Sequence, residues 1–452
     1  MASFHCSFTR LAFLLFFIPT FSFIAQASVP DNETFQYVNE GEFGEYVVEY
    51  DADYRVLDVF NSPFQLCFYN TTPNAYTLAL RMGTVRSESL MRWVWEANRG
   101  NPVRENATLT FGKDGNLVLA DSDGRVAWQS GTANKGVVGF KLLPDGNMVL
   151  HDFKGNFIWQ SFDTPTDTLL VGQALKLGGP TTLVSRASEK ENINGPYSLV
   201  LDPKKFALYY QSENSPRSML YYDLNTLLSV KGNLESVKFT SNPETDEAFA
   251  YEITFEYQIV NSSSGGNRIL SRPKYNSTLT YLRLGIDGSL KAYTFYPNVD
   301  YGAWEETYTL FTRADGGECQ LPSRCGNFGL CEDSQCVACP LPSGLLGWSK
   351  DCDSPKVKSC SAKDFKYYKL EGVNHFLSTY TRGDGPIKED DCAKKCTSDC
   401  KCLGYFYHLD TSRCWIAYEL KTLTRVANST HVGYIKAPID LKQMQVFYSV
   451  GA

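Results

Sequence analysis

From about residue 46 to residue 177 the apolar residues come in short β-type runs separated by Gly, Asn and Asp turns, and no stretch sustains a helical period. Within this region two units thirty-one residues apart nearly repeat. Asp114-Gly115-Asn116-Leu117-Val118-Leu119 leads to Trp128-Gln129-Ser130, and Asp145-Gly146-Asn147-Met148-Val149-Leu150 leads to Trp159-Gln160-Ser161. Each reads as a tight Asp-Gly turn, a short apolar strand, a second Gly-bearing turn at Gly124 or Gly155, and a strand ending in Trp. A lone hairpin cannot hide its apolar face from water, so a β unit written twice predicts copies packed around a shared core. A third, least regular copy is expected over 64–69, 76–80 and Trp93-Val94-Trp95. Trp95, Trp128 and Trp159 would then hold matching places inside, with polar turns at the rims.

The stretch 194–308 is again β-rich and full of aromatics, and 281–290 alternates around Asp287-Gly288 as a hairpin does. The chain opens differently. Arg10 precedes an apolar run over 11–18 and Ala25-Gln26-Ala27 forms an A-x-A cleavage site, so residues 1–27 are expected to be an export signal. Pro19, Thr20 and Ser22 cut that run short of the roughly 20 apolar residues a membrane span needs. Within the C-terminal tail, 438–452, the end from Met444 to Ala452 is too short and mixed for a transmembrane helix or a lipid-anchor signal, so no membrane attachment is expected. The remainder is long for one core and implies roughly two to four domains.

Cysteine usage fixes the compartment. Cys67 stands alone, whereas twelve of the 14 cysteines crowd between Cys319 and Cys414, a density suited to an oxidising environment. Six N-x-S/T sequons agree: Asn32, Asn70, Asn106, Asn261, Asn276 and Asn428. With the signal they predict a secreted, extracellular glycoprotein. A net charge of -7 without any basic stripe argues against nucleic acid as a partner.

These residues carry a resemblance. Trp93-Val94-Trp95-Glu96-Ala97-Asn98-Arg99 with Pro102, the two Asp-Gly-Asn repeats, and Trp159-Gln160-Ser161-Phe162-Asp163 followed by Pro165-Thr166-Asp167-Thr168-Leu169-Leu170 resemble the bulb-type, mannose-binding lectin domain of S-locus glycoproteins and G-type lectin receptor kinases of plants. The resemblance implies a mostly β protein in four parts: a β-prism lectin domain (44–177), an S-locus glycoprotein-like β domain (190–315), an EGF-like module (316–353) and a PAN or apple domain (358–437) with one helix near 388–395. From six cysteines fifteen pairings are open. The EGF-like order implies Cys319 with Cys331, Cys325 with Cys336 and Cys339 with Cys352, each short loop contributing ~3 kcal/mol by chain entropy. The PAN-like order implies Cys392 with Cys414, Cys396 with Cys402 and Cys360 with Cys400. This arrangement without a kinase is similar to the plant family of epidermis-specific secreted glycoproteins, which implies the cell wall or apoplast as location.

That lectin family writes its mannose pocket Q-x-D-x-N-x-V-x-Y, with a carboxylate and two amides for adjacent sugar hydroxyls and a Val under the ring. The matching positions are Gly112, Asp114, Asn116, Val118 and Ala120, then Leu143, Asp145, Asn147, Val149 and His151. Gln and Tyr are missing from both copies. Asp-Gly-Asn is also what a tight turn prefers, because Gly and Asn accept positive φ and Asp bonds its own backbone. Two function classes therefore stand: recognition of mannose-type glycans through Asp114, Asn116, Val118, Asp145, Asn147 and Val149, or recognition of an extracellular or wall protein, with a structural wall role third. No catalytic residues, metal ligands or cofactor are expected: the histidines fall in no zinc-protease motif, there is no G-x-S-x-G elbow, and Cys336-x-x-Cys339 sits among cysteines spaced for disulfides.

Overall fold

In a computed structural model the described residues are 28–85, 90–242, 251–262, 265–313, 317–357 and 359–439. The expected export signal and all but the first two residues of the expected tail lie outside them. Among the described residues no helix is long and apolar enough to cross a membrane.

Three antiparallel sheets form the first unit. They are Phe35–Val38 with Thr108–Phe111, Leu117–Ala120 and Val126–Gln129; Gly139–Leu142 with Met148–His151 and Phe157–Gln160; and Asp53–Asn61 with Phe64–Asn70, Thr77–Met82 and Arg92–Glu96. Their inward residues, among them Leu80, Leu119 and Leu150, share one core. Trp95, Trp128 and Trp159 meet at its centre in a triangle of edge-on contacts, with centroids 5.9, 6.3 and 5.7 Å apart. Each Trp faces the matching leucine (Leu80, Leu119, Leu150), and in all three hairpins the ladder slips immediately after that leucine. The irregular first copy thus obeys the same register as the other two.

The next unit repeats the plan with three four-stranded sheets over Thr168–Leu170 to Trp304–Thr309 around their own apolar core. Its first strands differ from the expected limits. Thr168–Leu170 pairs with Thr280–Leu284 and Ala174–Lys176 with Leu234–Asn242, so residues assigned to the lectin-like segment 44–177 hydrogen-bond into the following unit. Phe35–Val38, upstream of residue 44, is in turn a strand of the first. The physical reason is that short edge strands take their identity from partners distant in sequence, which local pattern does not display.

A buried charge network joins the two units. Glu49 accepts from Arg283 at 2.6 Å and from Arg92 at 2.9 Å. Arg99 reaches Glu96 at 2.5 Å and Asp167 at 3.0 Å, while Tyr69 donates to Glu96 and receives from Arg186 at 2.6 Å. Burial alone would raise the Asp167 carboxyl, yet the Arg99 and Arg283 charges outweigh it and hold the group below the usual carboxylate range. The Trp93–Arg99 motif is thereby explained residue by residue. Trp93 stacks on Tyr69 with centroids 4.1 Å apart, Trp95 completes the triangle, and the Asn98 carboxamide oxygen accepts from Leu78 N.

The last part is cystine-rich. Six disulfides pair Cys319–Cys331, Cys325–Cys336, Cys339–Cys352, Cys360–Cys400, Cys392–Cys414 and Cys396–Cys402. Helix Glu389–Ser398 places Cys392 and Cys396 one turn apart on its buried face, and Glu389, Asp390 and Asp391 in its first turn suit the positive end of the helix dipole. A second, shorter helix, Phe376–Tyr380, joins the single one expected; it docks Tyr380 on Tyr222 and Phe376 near Tyr210 of the preceding unit. Two strands of the second cystine segment complete the sheet of the first: Phe328–Glu332 pairs in parallel with Lys421–Arg425, which pairs with Val373–His375, while the remaining strands of the second segment form a four-stranded sheet of their own. Cys67 remains a free thiol, wholly buried, its pKa pushed up to about 12 by desolvation.

Candidate functional site

The Asp-Gly-Asn segments belong to a turn that recurs five times. In 112–116, 121–125, 143–147, 152–156 and 285–289 the first N–H donates to the fifth carbonyl and the fourth N–H returns to the first. The fourth residue is always Gly, with φ between +78° and +86°. This is the three-residue hairpin connection with a left-handed Gly. Asn stands fifth in three of these loops, Arg125 and Ser289 in the others, so the backbone form does not need the amide.

Where Asn116 and Asn147 stand fifth they are 7% and 4% exposed, which decides what they can do. Asn116 Nδ2 donates to Gln129 Oε1 at 3.0 Å, and its Oδ1 accepts from Ser130 Oγ and Thr132 N, each at 3.0 Å. Asn147 repeats this with Gln160 Oε1 at 2.9 Å and with Ser161 Oγ and Phe162 N at 3.3 Å. Ser130 and Ser161 then accept from Leu117 N and Met148 N at 3.0 and 2.9 Å. The asparagines and serines are internal rivets joining turn to strand end. Asp114 and Asp145 are exposed at the rim, each with Oδ1 capping the Asn backbone N–H at 3.1 and 3.0 Å. Val118 is half-buried, but Val149 is 0% exposed, so the second apolar floor is sealed. His151 lies at the strand end with Nδ1 3.0 Å from the Asp152 carbonyl oxygen.

The candidate residues are thus brought together within each hairpin, but the Asn116 and Asn147 amides point into the fold and only the Asp114 and Asp145 carboxylates stay at the rim. Gln129, Ser130, Gln160 and Ser161 are the partners that sequence reasoning did not assign. Their signal was present, since Trp-Gln-Ser recurs at the same spacing after each Asp-Gly-Asn. Of the sequon asparagines, Asn32, Asn106, Asn261 and Asn428 are exposed and Asn276 is half-buried, whereas Asn70 is only 5% exposed at the end of a central strand. In the sequons at Asn276 and Asn428 the Thr hydroxyl donates to the Asn carbonyl oxygen, at 2.8 and 2.7 Å.

Comparison with known proteins fits this architecture. A D-mannose binding lectin family matches residues 92–191 and an S-locus glycoprotein domain matches residues 230–346. The chain is 62% identical over 379 residues to epidermis-specific secreted glycoprotein EP1 of Daucus carota, covering 80% of this chain and 97% of that protein. It is 51% identical over 429 residues to EP1-like glycoprotein 3 of Arabidopsis thaliana, covering 94% and 96%. The putative receptor protein kinase ZmPK1 of Zea mays is 27% identical over 427 residues, and the match takes up 48% of that receptor. High identity across almost the full length of its relatives, on a mostly β fold with a lectin domain and a disulfide-rich C-terminal region, shows that the chain belongs to the family of EP1 and EP1-like secreted glycoproteins.

Proposed function

We propose that this protein is a non-enzymatic recognition glycoprotein of the plant cell wall or apoplast. Its lectin domain serves as a scaffold, and its contacts are made with a wall or other extracellular protein and not with mannose at the Asp-Gly-Asn turns. The observation that supports this reading is the saturation of Asn116 and Asn147 by partners inside the fold. A sugar would have to displace those bonds, and a monosaccharide site near millimolar affinity, about -4 kcal/mol, has little to lose. The spacing and pairing of the cysteines support reading 316–353 as an EGF-like module and 358–437 as a PAN or apple domain, in keeping with receptor ectodomains.

A second reading, mannose-type recognition in the first copy, is favoured only by the exposed Asp114 carboxylate beside the half-buried Val118. A glycan array probed with the secreted protein separates the two. The expected result is no mannose-type glycan bound, and from wall extract a protein partner retained in the presence of free mannose. Mannose-type binding abolished by Asp114→Ala or Asp145→Ala would overturn the proposal.

A further inference from the structure

Two histidines lie opposite one another on neighbouring antiparallel strands, His408 at the end of Gly404–His408 and His431 at the start of His431–Pro438. Directly opposed residues hold their Cβ atoms about 5 Å apart, close enough for two imidazoles to share one ion. Here the rings stack face to face with centroids 3.6 Å apart and planes 4° from parallel. His408 Nε2 and His431 Nδ1 both turn to Asn374 Oδ1, at 3.2 and 2.8 Å. With those N–H groups donated to one carbonyl oxygen, the other nitrogen of each ring keeps its lone pair. A backbone or side-chain carbonyl that orients imidazoles through the far nitrogen is what surrounds histidine metal ligands in general. Asp410, two residues beyond the strand end and exposed, adds a carboxylate. One donor atom from each of His408, Asp410 and His431 lies within 4.8 Å of the others.

We propose that His408, His431 and Asp410 form a binding site for a borderline divalent cation, Zn²⁺ or Cu²⁺, at the rim of the C-terminal sheet. Two imidazoles and one carboxylate select these ions over the hard cations Ca²⁺ and Mg²⁺, which take oxygen donors. Bonds of about 2.0–2.2 Å in each ring plane require donor atoms no more than about 4 Å apart and converging lone pairs, so binding tilts the parallel rings out of their stack and draws Asp410 inward. A fourth position is left for water or an outside ligand. The other described histidines do not compete: His375 is fully buried with both ring nitrogens engaged, and His151 stands alone.

Isothermal titration of the full secreted chain with ZnCl₂ and with CuCl₂, against a CaCl₂ control, tests this. The expected result is saturable uptake of one Zn²⁺ or Cu²⁺ per chain and no uptake of Ca²⁺. His431→Ala should abolish it, Asn374→Ala should weaken it about 10- to 100-fold, and His151→Ala should leave it unchanged. Asp410→Asn changes only an exposed carboxylate, so its expected loss of at least tenfold in affinity, at an unaltered metal-free melting temperature, cannot be attributed to misfolding. No saturable heat with either ion, or one equivalent still bound after His408→Ala with His431→Ala, would overturn the proposal.

Discussion

At the scale of single residues, Asn147 and His375 are side chains committed to holding the chain together. Asn147→Ala removes an acceptor for Ser161 Oγ and Phe162 N and a donor to Gln160, leaving buried groups without partners. The expected cost is about 1–3 kcal/mol, read as a lower urea midpoint, with Asp145→Ala costing less because that carboxylate is solvated. His375 is one of the residues that respond to acid. Burial lowers its pKa to about 4, and its ring caps helix Phe376–Tyr380 by accepting from Leu377 N while donating to the Glu419 carbonyl. Because the folded pKa lies below the unfolded value near 6.5, the unfolded chain binds the extra proton first. Stability is therefore complete above pH 6.5 and falls as pH drops toward 4, by on the order of 3 kcal/mol. Denaturation midpoints measured across that window should show the slope, and His375→Gln should reduce it.

At the scale of elements, five turns share one backbone form but not one environment. A Cβ on Gly146 would stand 2.8 Å from Leu170 Cδ1 and Phe64 Cε1, whereas at Gly124 nothing lies within 4 Å. Both glycines have left-handed φ, so alanine at either carries the strain of about 1–2 kcal/mol, and Gly146→Ala adds the 1–3 kcal/mol of an overpacked core. Calorimetric melting of the two variants should rank Gly146→Ala below Gly124→Ala. Such hairpins were legible in the sequence, because Asp-Gly turns, alternating strands and Trp at a fixed offset are local signals that repeat. The Trp triangle and the mostly β class follow from them. That strands such as Ala174–Lys176 hydrogen-bond into the following sheets was not legible, because three residues have no pattern of their own and depend on a partner some sixty positions away. The candidate sugar residues were found as a motif, but whether an amide faces solvent or Gln160 is decided by folding, not by spacing.

At the scale of the molecule, the first two units are bound through charges that are largely withdrawn from water. Arg283 from the second unit inserts between Glu49 and the Trp93 carbonyl of the first. Removing one member of such a pair strands the other, so Arg283→Ala is expected to cost about 3–5 kcal/mol and to split one thermal transition into two. Scanning calorimetry would show whether the units then melt separately. The parallel pairing of Phe328–Glu332 with Lys421–Arg425 extends the same interdependence to the cystine-rich part. A ladder completed by residues ninety positions downstream cannot close while the chain is still emerging into the secretory lumen. A frameshift late in the reading frame, between codons 348 and 421, would therefore leave an open strand edge in a segment whose own codons are intact, and the product would be exposed to retention and clearance before export.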